Sequence, residues 1–80
     1  MHPSDVVASI GVTLLLAAFA LNLFGALPRA SRAYQALNLL GAGMAAWAAW
    51  HIGFLPFVIL EGSWAAVALV GLLRPLGAER

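Results

Sequence analysis

VVASIGVTLLLAAFALNLFGAL (residues 6–27) runs without a charge into Pro28-Arg29-Ala30-Ser31-Arg32. As a helix rising about 1.5 Å per residue, the first stretch is long enough to cross a hydrocarbon core of roughly 30 Å. Pro28 cannot continue a helix, because it lacks an N–H and its ring clashes with the preceding turn. The two arginines and Ser31 that follow make a polar turn. Ser4 and Asp5 precede the run as N-cap candidates, with Pro3 just outside. The triplet Ala18-Phe19-Ala20 mimics a signal-peptidase site. The segment ahead of it, however, carries Asp5 and no Lys or Arg, so an uncleaved helix is expected.

Two further apolar runs follow. Helices are predicted at about 5–27, 32–51 and 54–74, forming a single membrane domain over 1–80. Ser31 is the expected cap of the second. Tyr34 at one end of that helix and Trp50 with His51 at the other suit the two interfaces of a spanning segment. Pro56 falls in the first turn of the third helix, where a missing N–H costs nothing, and Pro75 and Gly77 close it. Both turns are short, so neighbouring helices must be antiparallel. The expected fold class is all-α, a transmembrane three-helix bundle running up-down-up.

Composition agrees with that class. The chain has 80 residues, of which 64% are hydrophobic and 9% charged, with no lysine and a mean hydropathy of +0.98. A water-soluble domain of this size needs many more charges on its surface. Net charge is +1, which offers no basic surface for nucleic acid. Absence of cysteine excludes disulfides, thiolate metal sites and a cysteine nucleophile. His2 and His51 lie far apart in sequence, and no acid has an evident base or metal partner. No enzyme activity, metal or cofactor is therefore expected. Arg29, Arg32, Arg74 and Arg80 all fall on one side of the bundle, so the N-terminus is predicted outside and the C-terminus cytoplasmic.

The informative residues are those that lipid should exclude. Glu61 lies about 10–12 Å below the outer end of the third helix. An acid at that depth costs about 2.5–3.5 kcal/mol. The eleven Leu, Ile, Phe and Val residues of segment 54–74 return roughly 3–7 kcal/mol, so the helix still inserts. Two roles fit Glu61. It faces the bundle interior as a solute or proton site, or it is a structural acid hydrogen-bonded to a neighbouring helix. Asn22 and Asn38 also sit in apolar runs, either as hydrogen-bonding glue between helices or lining a polar pathway. Gly41, Ala45, Ala49 and Gly53 recur every four residues and form a stripe of small residues for helix or dimer packing. Gly11, Leu15, Ala18, Asn22 and Gly25 make a similar stripe on the first helix. Trp47 reaches a depth similar to that of Glu61, and Trp64 follows Glu61 by three positions on the same face. An acid with two indoles and Asn38 can cradle a cationic or sugar-like solute; the same residues also serve as ordinary filling.

The stretch Tyr34-Gln35-Ala36-Leu37-Asn38-Leu39-Leu40-Gly41, then Trp47 to Trp50, then Pro56 to Trp64, resembles a group of small bacterial membrane proteins of uncharacterised function. The likeness covers nearly the whole chain and implies a multi-pass protein of the bacterial inner (cytoplasmic) membrane. More distantly the chain is similar to the SemiSWEET half-transporters of the PQ-loop superfamily. That likeness implies a three-helix unit that dimerises to move a solute by alternating access. Trp47 falls at their pocket tryptophan, Glu61 at their pocket asparagine, and Leu21-Asn22 at their Pro-Gln hinge. An acid in place of the amide favours a cation or a proton-coupled solute over a neutral sugar. Loss of the hinge proline leaves Leu21, Asn22 and Pro56 as the positions where any rocking must occur.

Three helices cannot wall a pathway alone, so a solute site is expected between two copies at mid-membrane. The resulting expectation is a parallel homodimeric half-transporter in the lipid bilayer, moving a small polar or cationic solute. Glu61, Trp47, Trp64 and Asn38 line the site. The alternative is a non-transporting scaffold or accessory subunit of a larger membrane complex, in which Glu61 pairs with a polar residue of another protein.

Overall fold

The computed structural model describes residues 2–74. It consists of α1 (Pro3–Leu23), α2 (Arg32–His51) and α3 (Leu55–Leu73). Pro75, Gly77, Glu79 and Arg80, with their expected roles at the end of the third helix and in membrane orientation, lie outside the described residues.

Local chemistry sets each helix end. α1 begins ahead of the expected Ser4-Asp5 cap, with His2 extended at the N-cap and Pro3 as the first helical residue. Proline is pre-organised for that position. Ser4 instead pairs its hydroxyl with His2 Nδ1 at 3.1 Å, and Asp5 lies in the first turn, where the helix dipole favours an anion. Ser31 caps α2, its Oγ accepting the Tyr34 amide at 3.1 Å and donating to the Pro28 carbonyl at 2.7 Å. Pro56 is the second residue of α3.

The C-terminal ends of α1 and α2 are alike. Gly25 has φ +77° and Gly53 φ +74°. After α1, the Gly25 amide donates to Asn22 O and the Ala26 amide to Leu21 O. After α2, Gly53 donates to Trp50 O and Phe54 to Ala49 O. Both are Schellman caps, in which a left-handed residue lets the chain turn back onto the last carbonyls. This is why α1 stops at Leu23 rather than near residue 27. Gly53 is exposed, with nothing else of the described chain within 4 Å of where its Cβ would be, and its left-handed backbone forms the turn. Gly25 serves the same turn-forming purpose.

α2 is the middle helix. It packs against both α1 and α3, while among the described residues no Cα of α1 comes within 8 Å of α3. Gly11 of α1 faces Gly41, Met44 and Ala45, and Gly41 faces Gly11, Leu14 and Leu15. Rising numbers in α1 meet falling numbers in α2, so the pair is antiparallel. On the other side Gln35 meets Gly71 and Asn38 meets Trp64, which makes α2 and α3 antiparallel as well. The result is an up-down-up path in which α1 and α3 flank α2 without closing on each other.

Packing is inverted relative to a protein folded in water. Among the described residues the buried apolar ones are Ala18, Ala42, Ala45, Ala48, Ala49 and Ala68, and no large side chain is fully buried. Large hydrophobic residues are exposed instead, among them Leu16, Phe19, Val67 and Leu73. In water such a surface would aggregate. In lipid it is the expected arrangement, since small residues let backbones approach and tails solvate the rest. α1 and α3 are long and apolar enough to cross a membrane. α2 is less apolar than three spanning helices require, because Arg32, Tyr34, Gln35, Asn38 and His51 all lie within it.

Candidate functional site

The buried polar side chains of α2 and α3 are Asn38 and Glu61. Asn38 is buried at 5% exposure. Its Nδ2 donates to the Tyr34 carbonyl one turn back at 2.8 Å, and its Oδ1 accepts Trp64 Nε1 at 2.9 Å. Both ends of the amide are therefore engaged, one within α2 and one across to α3. Gln35, one turn before Asn38, donates from Nε2 to the Arg29 carbonyl at 3.1 Å and ties the α1–α2 turn to the same seam. Its side chain lies over Gly71, where a Cβ would come within 2.6 Å of it.

Glu61 is the other polar member. It is 6% exposed, and its Oε1 has no hydrogen-bond partner among the described residues. Ala68, seven positions on, is the other buried residue of α3. A spacing of seven keeps both on one face, and α2 is the only helix α3 packs against. That face therefore looks onto α2, whose buried residues in this region are the alanines 42, 45 and 49. None of these offers a side-chain donor. Glu61 stands six residues from the start of α3 and twelve from its end, about 9 Å and 18 Å along the axis.

The expected cluster is brought together in part. Asn38 and Trp64 are joined directly, and Glu61 lies one turn of α3 from Trp64. Trp47 is elsewhere: it lines a groove with Val7, Leu40, Gly43 and Met44 on the α1 side of α2, and its ring meets His51 at 4.1 Å between centroids. Similar depth along a bundle does not imply the same direction around it. Gly41, Ala45 and Ala49 are all buried, with Gly41 in the α1 seam. The Asn22 Nδ2 closes the turn after α1 by donating to the Leu27 carbonyl at 3.1 Å. Leu21 contributes its carbonyl to the same turn, and Pro56 is exposed at the start of α3.

A groove of about 430 Å³ lies along the outer edge of the seam, with Arg29, Tyr34 and Asn38 on one side and Leu60, Trp64 and Val67 on the other. Gln35 and Arg29 were missed as site residues from sequence. Gln35 could have been found from its position three residues before Asn38, on the same helix face. Arg29, in a turn, had no such signal. Among the described residues no group of His, Asp and Glu is placed to hold a metal.

A family model matches residues 4–80. The chain belongs to that family, whose function is uncharacterised. The match takes in all three helices and every residue of the α2–α3 seam. Neither a curated protein nor a solved structure matches the chain.

Proposed function

We propose that this chain is a small multi-pass membrane protein that works as half of a parallel homodimeric carrier. It would move a small polar or cationic solute by alternating access, in the manner of the SemiSWEET-like proteins it resembles. The observation that carries this reading is Glu61: a buried carboxyl with an unpartnered oxygen, on a helix apolar enough to cross a membrane. Acids within membrane segments are costly and mark proton or solute pathways. An oxygen that nothing among the described residues satisfies suits a ligand proton, an ammonium group or a donor from a second copy.

The open arrangement of helices supports the dimer. α1 and α3 each pack on α2 and not on each other, so the described helices enclose no pathway of their own and one needs walls from another chain. Asn38 and Trp64 are bonded to each other and form a fixed wall one turn from Glu61; Trp47, on the opposite side of α2, belongs to the site only if a second copy contributes it. The arginines of the α1–α2 turn place that turn on the cytoplasmic side in this reading, with the N-terminus outside and the bacterial inner membrane as the setting.

The test is uptake into vesicles containing the purified chain, with an imposed pH gradient and a panel of small amines and polyols. The native chain should give gradient-dependent uptake of at least one amine, and Glu61→Gln should abolish the pH dependence. Identical pH dependence in the Gln variant removes Glu61 from the mechanism. A chain that stays monomeric in detergent and folds only with another subunit supports the accessory-subunit reading instead.

A further inference from the structure

The α2–α3 groove has an unusual division of chemistry. Its amide and indole donors are engaged within the protein: Gln35 to the Arg29 carbonyl, Asn38 to the Tyr34 carbonyl and Trp64 to Asn38. Two hydroxyls, of Tyr34 and Ser63, also line it. What the groove presents is an apolar wall from Leu60, Val67 and the half-exposed Trp64 ring, with one charge, the exposed Arg29, at the turn end. No acid lines it, and Glu61 is not among its walls. The α3 part of the groove, from Leu60 to Ala68, extends about 12 Å along the helix axis, away from the arginine and toward mid-membrane.

An apolar slot with a cation at its interfacial end matches an anionic amphiphile. We propose that the groove binds an anionic phospholipid, with the headgroup phosphate at Arg29 and an acyl chain lying along Leu60, Trp64 and Val67. Basic pockets between membrane helices bind such headgroups for the same electrostatic reason. This site rests on the membrane reading given above but not on transport, because the carboxyl assigned to the carrier lies outside the groove.

Trp64 supplies its own reporter. In a full-length chain carrying Trp47→Phe and Trp50→Phe it is the sole indole. The chain is reconstituted into phosphatidylcholine vesicles containing brominated acyl chains on either phosphatidylglycerol or phosphatidylcholine, and quenching of Trp64 is measured. Brominated phosphatidylglycerol should be about fivefold preferred, the equivalent of one cation near an anionic headgroup. Arg29→Gln should reduce the preference to about one, while Arg32→Gln, in the same region but outside the groove, should leave it unchanged. Equal quenching by the two lipids overturns the proposal while leaving the membrane reading intact, as does an equal loss in Arg32→Gln. A chain that remains in the aqueous fraction with neither lipid quenching overturns both.

Discussion

On the side of α2 that meets α1 stand Gly41, Met44 and Ala45, facing Gly11; on the side that meets α3 stand Gln35 and Asn38, facing Gly71 and Trp64. The first seam is a reciprocal glycine contact. A Cβ on Gly11 would lie 2.6 Å from the Gly41 carbonyl oxygen, and one on Gly41 would lie 2.7 Å from that of Gly11. Backbone meets backbone, and neither side can yield. The second seam is held by a hydrogen bond across it and contains a carboxyl whose Oε1 no group among the described residues satisfies. Close packing and polar bonding are the two ways helices associate where no hydrophobic driving force separates protein from solvent. This chain uses one on each face of its middle helix. The close-packed seam suits a rigid frame. The polar seam, with an unpartnered oxygen, suits the face where a proton or solute acts.

The largest effect should come from forcing the close-packed seam apart. Gly41→Val places branched carbon against the Gly11 carbonyl and should destabilise the fold by about 3 kcal/mol or more, read as loss of helical circular dichroism in a denaturant titration from mild detergent. A Val variant as stable as the native chain would show that the glycines do not touch. Next is Glu61→Leu. Removing an unsatisfied buried acid should stabilise the chain by about 1–3 kcal/mol in the same titration. Net destabilisation would mean that the carboxyl has a donor in the folded protein.

Smaller effects sharpen the contrast. A double-mutant cycle over Asn38→Leu and Trp64→Phe should give a coupling of about 0.6–1.7 kcal/mol, the range for hydrogen bonds between membrane helices. A coupling near zero would reduce the polar seam to ordinary packing. Smallest of all should be Gly71→Ala. Its Cβ meets only the end of the Gln35 side chain, which can swing aside, so a change within about 0.5 kcal/mol is expected. Gly11→Ala, against backbone, should cost several times more. Equal costs for the two alanine variants would erase the distinction between the seams.

Several features were legible in the chain before any coordinates. Apolar runs of helical length, Pro28 after the first run, Ser31 before the second and Pro56 within the first turn of the third each act through a residue's own backbone or its immediate neighbours. Such signals need no tertiary partner. Glu61, Asn38 and Trp64 also stood out, because a polar group in an apolar run is conspicuous wherever the run folds. Gly25 and Gly53 carry a cap signal as well, in their positions at the ends of runs, ahead of a proline or a new helix.

Direction around each helix could not be read in the same way. Spacing along the chain gives depth, and it put Trp47 level with Glu61; only the packing of three helices shows that Trp47 turns toward the α1 side of α2. Nor could periodicity reveal that α2 lies between two helices that never close on each other, or that the Asn38 amide meets the Trp64 indole while the Glu61 oxygen meets nothing. Those outcomes depend on which small residues allow two backbones to approach, a property of paired surfaces that no single helix contains.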